Sequence, residues 1–339
     1  MESLDLRVLS DALAWRSAGH AVTLVTVVET WGSAPRPPGA LLAVRDDGVV
    51  SGSVSGGCVE DDLIARTKAS FKALDAGTPA LSKPAMIAYG VSKEEATRFG
   101  LPCGGTLRLV QEPLLDTAWV AQLLARTAAH QLVARTLTLA TGAVQLSDAV
   151  RGQTLQFDGS TLSTVFGPKW RLLLIGAGQL SQAVAQMAVM LDFDVLVCDP
   201  REEYAATLGA GLLGMSGIRR VEGMPDDVVR ELVPDAHTAI VALTHDPKLD
   251  DMALLEALQS NAFYVGALGS RRNQETRKQR LAEHFDLSAE ELARLHGPVG
   301  LALGAKTPAE IAVSIVAEIV QVKNAVTGAV ATTAGCALT

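Results

Sequence analysis

Two cysteines lie inside glycine-rich turns, in Gly56-Gly57-Cys58 and in Cys103-Gly104-Gly105. A thiol in such a turn is exposed and surrounded by backbone N–H groups. Both conditions favour the thiolate, the form of cysteine that attacks electrophiles and binds soft metals. Ser53-Val54-Ser55-Gly56-Gly57 runs into a helix expected from about Val59 to Leu74, so its N–H groups should form an anion-binding concavity at a helix start. Glu60, Asp61 and Asp62 in the first turn of that helix work against a thiolate at Cys58. The alternative is a plain glycine turn whose cysteine packs as a small hydrophobe. Cys103 belongs to a second flexible turn, Gly100-Leu101-Pro102-Cys103-Gly104-Gly105-Thr106. Cys198 ends the apolar run Val195-Leu196-Val197 and reads as a buried strand residue, and Cys336 lies in a small-residue tail. With no Cys-x-x-Cys pair, the four cysteines suggest neither a disulfide framework nor a zinc site.

A second set of residues suits anions. Leu172-Leu173-Leu174-Ile175-Gly176-Ala177-Gly178-Gln179-Leu180-Ser181 reads as a strand, a glycine turn and a helix. Gly176 and Gly178 match the first two glycines of the dinucleotide fingerprint, whose turn brings a pyrophosphate to a helix N-terminus, while Ser181 replaces the third. Asp199, ending the next strand, is placed to accept from ribose hydroxyls. The alternative is a Rossmann scaffold whose phosphate site is idle. Thr244-His245-Asp246-Pro247 follows a later strand, with His245 either an acid–base group or a solvated loop residue. Gly269-Ser270-Arg271-Arg272 presents two guanidiniums at a helix start, suited to clamping phosphate, or else ordinary helix-surface charge. Before the last helix, Thr307 is the expected N-cap and Pro308 the first helical residue, with Lys306 as a further basic candidate.

The elements that must position these residues fall into two parts. Up to Gly167-Pro168 the pattern is an opening helix over 3–18, a β-branched strand at 21–28, a hairpin across Asp46-Asp47-Gly48 and the helix after Cys58. Strands at 85–89 and 106–111, a helix near 116–129 and short strands between 132 and 166 follow. After Lys169 strands near 171–175, 194–198, 238–242 and 262–266 alternate with helices near 179–191, 226–233, 249–259, 270–282 and 307–324. That alternation predicts an α/β protein: an N-terminal α/β domain (1–168), a C-terminal Rossmann-like, doubly wound parallel sheet (169–325) and a flexible tail (326–339).

Composition narrows the function classes. The 339-residue chain is 48% hydrophobic but only 4% aromatic, so its cores are aliphatic, as in buried parallel sheets. A net charge of −8 with only short basic clusters argues against a nucleic-acid surface. No stretch approaches the roughly 18 apolar residues of a membrane span, and Met1-Glu2-Ser3-Leu4-Asp5 does not resemble a secretory signal, so a cytoplasmic protein is expected. The scattered histidines form no metal-binding spacing.

Taken together, these segments resemble the XdhC/CoxI family, the accessory proteins of xanthine dehydrogenase and related molybdenum hydroxylases. The resemblance rests on Thr30-Trp31-Gly32-Ser33-Ala34-Pro35-Arg36-Pro37-Pro38-Gly39, Gly52-Ser53-Val54-Ser55-Gly56-Gly57-Cys58-Val59-Glu60 and Gly100-Leu101-Pro102-Cys103-Gly104-Gly105. It continues through Gly176-Ala177-Gly178, Asp199-Pro200-Arg201, Gly266-Ala267-Leu268-Gly269-Ser270-Arg271-Arg272 and Gly304-Ala305-Lys306-Thr307-Pro308. It implies a chaperone rather than an enzyme: a homodimer that holds the molybdenum cofactor, as molybdopterin or its cytosine dinucleotide form, while a cysteine desulfurase supplies the sulfido ligand, then delivers it to an apo molybdenum hydroxylase. On that reading Cys58 and Cys103 are contacts for molybdenum or sulfur. Gly56, Gly57, Gly104, Gly176, Gly178, Asp199, Arg271, Arg272 and Lys306 hold the rest of the cofactor, and the Rossmann turn is also a candidate nucleotide site. Ala302 stands where the family more usually has Asp, so no carboxylate contact is expected there. The competing class is an NAD(P)-dependent oxidoreductase with Asp199 on the ribose and His245 as acid–base.

Overall fold

Strands buried on both faces shape both halves of the fold. The computed structural model describes residues 3–30, 36–75, 82–90, 106–204 and 216–328, with Ser3, Cys58 and residues 73–75 and 326–328 described by their backbone alone. The described chain divides into two compact units, Met1–Pro168 and Lys169–Thr339.

The N-terminal unit carries α1 (Ser3–Ser17), β1 (Val22–Thr30), β2 (Leu41–Arg45), β3 (Val50–Gly52), α2 (Cys58–Asp75), β4 (Ala85–Tyr89), β5 (Leu107–Pro113) and α3 (Ala118–Ala128). These are followed by β6 (Val133–Thr138), β7 (Val144–Asp148), β8 (Gln156–Phe157) and β9 (Thr161–Phe166). Its sheets run β3-β2-β1-β5-β4 and β7-β6-β9-β8, antiparallel throughout. Successive side chains of a strand point to opposite faces. Val25, Val27, Leu42 and Val44 therefore pack with Val59 and Leu63 of α2, while Val22, Leu24, Leu41 and Ala43 pack with Val8, Leu9 and Leu123 of α1 and α3. Helices on both faces explain why β1 is buried without interruption from Val22 to Val28, unlike a half-solvated antiparallel strand.

The C-terminal unit carries β10 (Arg171–Ile175), α4 (Gln179–Met190), β11 (Asp194–Cys198), β12 (Ile218–Val221), α5 (Pro225–Leu232), β13 (Thr238–Ala242) and α6 (Pro247–Gln259). It continues with β14 (Tyr264–Ala267), α7 (Arg271–Phe285), α8 (Ala289–Ala293), β15 (Leu295–His296) and α9 (Pro308–Gly328). The sheet order β12-β11-β10-β13-β14-β15, all parallel, is the doubly wound Rossmann order 3-2-1-4-5-6 when β10 is counted first. Leu172, Leu174, Val195, Val197, Ala239 and Val241 face one layer, with α4 and α9. Leu173, Ile175, Leu196, Cys198, Ile240 and Ala242 face the other, with α5, α6 and α7.

The short strands β12 and β15 lack a sequence signal of their own, because Ile218-Arg219-Arg220-Val221 is polar along an edge and β15 has two residues. The last helix runs to Gly328, so Val326 and Thr327, expected in the loose tail, are still helical; residues 329–339 lie outside the described chain.

Candidate functional site

The turn before α2 is filled by the chain itself. Glu60 Oε1 accepts from the N–H groups of Val54 (2.9 Å), Ser55 (2.8 Å) and Gly56 (2.9 Å) and from the Ser53 hydroxyl (2.8 Å). Oε2 accepts from the Gly57 N–H (2.8 Å) and the Ser55 hydroxyl. Burial opposes ionisation of this carboxyl, but the bonds from Ser55, Gly56 and Ser53 outweigh it and hold its pKa at about 2. The expected anion concavity is present, and its occupant is Glu60. Positive φ at Gly56 (95°) turns successive N–H groups inward. Gly57 and Gly56 thus hold a carboxylate, and Cys58 begins the helix that this carboxylate caps.

The anion residues predicted in the second unit all sit at the carboxyl ends of its parallel strands, the edge where open α/β sheets take ligands. Gly176 follows β10 with φ 111°, and a Cβ there would lie 3.1 Å from the backbone of Leu243 and Thr244 after β13. Only glycine fits that approach at the switch point of the sheet. Ala177 N–H donates to Asp199 Oδ2 (2.9 Å), and Arg201 grips the same carboxylate with Nε to Oδ1 and Nη2 to Oδ2, each 2.8 Å. Burial of Asp199 is outweighed by these bonds, so its pKa lies below the usual carboxylate range. Asp199 is therefore a latch joining the β10 and β11 ends, with both oxygens engaged. Gly178 is the N-cap of α4, without side-chain capping, and a Cβ there meets no described atom within 4 Å. Ser181, in the position of the third fingerprint glycine, is buried with its hydroxyl unpartnered among the described residues.

After β13, His245 is exposed at φ 62°. Beneath it lies a charge cluster with no local sequence pattern. Thr244 donates to Asp250 Oδ1 from its N–H (3.2 Å) and hydroxyl (2.7 Å), and Arg277 donates Nη2 to Asp250 Oδ2 (3.1 Å), Nε to Asp251 Oδ1 (3.2 Å) and Nη1 to Leu268 O (3.1 Å). Arg280 Nε adds a 2.6 Å bond to Asp251 Oδ2. Burial pushes the Asp250 carboxyl up, against the bonds from Thr244 and the Arg277 charge. The cluster ties the loop after β13 to the loop after β14. That second loop ends at Ser270, whose hydroxyl caps α7 by accepting from Asn273 N–H (3.2 Å). Arg271 and Arg272 are exposed in the first turn and make no ion pair among the described residues.

The loop after β15 is held by Glu318, which accepts from Tyr264 Oη (2.5 Å) and Gly300 N–H (2.6 Å) and pairs with His296 Nδ1 (3.1 Å). At the loop's end Thr307 caps α9: its hydroxyl accepts from Glu310 N–H (3.3 Å), and Glu310 accepts from the N–H groups of Thr307 (3.0 Å) and Lys306 (2.9 Å). The Lys306 side chain is exposed. Cys198 is fully buried, with Sγ 3.6 Å from Gly223 O, and burial raises its thiol to about 12. Cys103 and Gly104 lie outside the described residues, as does Cys336.

Two family models match in chain order, the XdhC and CoxI family over residues 15–83 and the XdhC Rossmann domain over residues 172–319. The chain belongs to the XdhC/CoxI family. Among relatives of this XdhC/CoxI protein, the molybdenum cofactor insertion chaperone PaoD of Escherichia coli (strain K12) is 29% identical over 317 residues, covering 90% of this chain and 85% of PaoD. A protein of Bacillus subtilis (strain 168) named as a probable xanthine dehydrogenase subunit is 28% identical, covering 89% of this chain and 93% of its own. YqeB of Escherichia coli (strain K12) is 28% identical over 94% of this chain, which spans about half of YqeB (47%). A crystal structure described as a xanthine dehydrogenase from Bacillus halodurans superposes with a TM-score of 0.71 at 23% identity over 96% of both chains, and shows that the fold is shared.

Sequence reasoning missed Asp250, Asp251, Arg277 and Glu318, whose partners are far along the chain or come from a different strand. Glu60 had a signal: a glutamate three residues into a helix after a serine- and glycine-rich turn is the expected N-terminal acceptor.

Proposed function

We propose that this XdhC/CoxI protein is a carrier for the molybdenum cofactor. It binds the molybdopterin form or its cytosine dinucleotide, shields it while a cysteine desulfurase installs the sulfido ligand, and passes it to an apo molybdenum hydroxylase of the xanthine dehydrogenase or aldehyde oxidase type. The single observation that carries the reading is similarity to the PaoD chaperone along both units. Geometry adds support. Arg271, Arg272 and Lys306 are exposed cations on the carboxyl edge of the parallel sheet, beside loops held by polar networks, and suit the phosphate end of such a cargo. Cys58 and Cys103 are the proposed soft contacts for molybdenum or sulfur. The protein acts as a homodimer in the cytoplasm on this reading and carries out no hydroxylation itself.

The test is retention of cofactor by protein purified from a molybdopterin-producing host, measured as the fluorescent pterin released on oxidation. Cys103→Ala and Arg271→Ala each lower the pterin per chain. Undiminished retention in both would sink the site assignment. A second reading, an NAD(P)-dependent oxidoreductase, is favoured by the Rossmann strand order. It is opposed by Asp199, whose oxygens are held by Arg201 and Ala177 rather than open to a ribose. Titration with NADH and NADPH is expected to show no saturable binding.

A further inference from the structure

Two of the buried residues of α7 are polar where the helix would ordinarily be apolar. Gln274, Arg277 and Leu281 are its buried side chains. Their spacing puts them on one face, the face that a helix on a sheet fills with hydrophobic residues. Leu281 follows that rule and joins the aliphatic core. Gln274 and Arg277 break it, at 1% and 6% exposure. Burying a guanidinium is costly unless its donors are paired, and an apolar side chain of similar volume is often as stable or more so. Stability alone does not account for these two residues.

Their partners do. Arg277 reaches the loop after β13 through Asp250, which accepts from both the N–H and the hydroxyl of Thr244. It reaches the loop after β14 directly, with Nη1 on Leu268 O, and the same nitrogen donates to Gln274 Oε1 at 3.3 Å. Gln274 Nε2 donates to Ala267 O (2.9 Å), which also accepts from Val299 N–H (3.0 Å) in the loop after β15. The Gln274 amide lies close against that loop: a Cβ added at Gly297 would stand 2.5 Å from its Cδ and Oε1. One guanidinium and one amide thus join three loops. The loops after β10 and β11 are held separately, by Asp199 with Ala177 and Arg201. Among the described residues no side-chain hydrogen bond links the two networks. They meet at Gly176, whose lack of a side chain lets its backbone lie against Leu243 and Thr244.

We infer that the carboxyl edge of the parallel sheet is made of two bodies that meet at Gly176, and that Arg277 and Gln274 make the loops after β13, β14 and β15 open and close as one. That second body carries the exposed side chains of His245, Arg271, Arg272 and Lys306. An anion engaged by any of them is therefore held or released by all three loops together. The coupling is a property of the chain itself and stands whatever the cargo is.

The test is hydrogen–deuterium exchange of the full chain, followed at residues 244–246, 268–270 and 299–301, with Ala177 and Arg201 reporting the other body. Arg277→Lys keeps the charge but loses the fork that reaches several partners at once. It is expected to speed exchange about ten-fold or more in all three loops and to leave Ala177 and Arg201 as in wild type. Asp199→Ala is expected to do the converse. Acceleration confined to residues 244–246 in Arg277→Lys overturns the coupling. Equal acceleration at Ala177 and Arg201 overturns the division into two bodies. If Arg277→Lys folds poorly, Gln274→Ala decides. It cuts the link to the loop after β15, so exchange at residues 299–301 rises while residues 244–246 stay protected, and unchanged exchange at 299–301 overturns the inference.

Discussion

The two glycine turns, Ser53–Gly57 before α2 and Gly176–Gly178 before α4, start from the same chemistry and end differently. Each sends backbone N–H groups toward a helix start, where negative charge is favoured. In the first, N–H and hydroxyl groups from Ser53 to Gly57 converge on Glu60, so the anion is covalently part of the chain. In the second, Asp199 takes only the Ala177 N–H and reserves the rest of its carboxylate for Arg201, leaving the space beside Gly178 open. The difference teaches that a glycine-rich turn announces an anion without saying whose it is. An external anion at the first turn must displace Glu60, whereas at the second it meets no internal competitor among the described residues.

The largest way to strain this contrast is to remove what holds the second edge in place. Arg277→Met leaves Asp250 and Asp251 buried without their shared cation and is expected to cost about 3–5 kcal/mol in urea unfolding. A loss under about 1 kcal/mol would mean that the loops after β13 and β14 do not depend on it. Next, Gly176→Ala puts a Cβ at positive φ and 3.1 Å from the Leu243–Thr244 backbone, for about 2–4 kcal/mol. Gly178→Ala, in open space at negative φ, should change stability by less than about 1 kcal/mol. Equal effects at the two glycines would erase the distinction drawn between them.

Glu60→Gln tests the first turn, with an expected loss of about 1–2 kcal/mol at pH 7, the half-buried setting screening the remainder. Its sign with pH follows from a folded pKa near 2 against an unfolded value near 4.5. Because the folded pKa is depressed, the stabilisation is complete above the unfolded value and is lost as pH falls from there through about 2. The gap between wild type and Glu60→Gln should therefore close on acidification, and a gap constant from pH 7 to pH 3 would show that the carboxylate charge is not what holds the turn. Smallest is Arg271→Ala, whose exposed side chain, without an ion pair among the described residues, predicts a stability change within about 0.5 kcal/mol. Cofactor retention is where that variant is expected to differ from wild type, so stability and retention together separate a binding residue from a structural one.

Local features were legible before the fold was seen. The strand–turn–helix at Leu172–Ser181 and the cap at Thr307-Pro308 both rest on contacts within four residues or on a repeating period. The burial of Cys198 followed from its apolar strand, and the structure adds the raised pKa that follows from burial. By contrast, Thr244 carries no hint that Asp250 and Arg277 complete its loop, and Glu112 gives none that its partner is Arg135 on another sheet. Asp199 falls between the two: its place at the strand end could be read, but its engagement by Arg201 could not.

By itself the sequence determined the alternation of β and α elements, the glycine turns at helix starts and the resemblance to the XdhC/CoxI family, since each of these is written in neighbouring residues. The tertiary structure decided which carboxylate fills each turn and which charges are buried together. Those outcomes depend on side chains brought together from distant positions by packing, and a linear pattern has no period for such meetings.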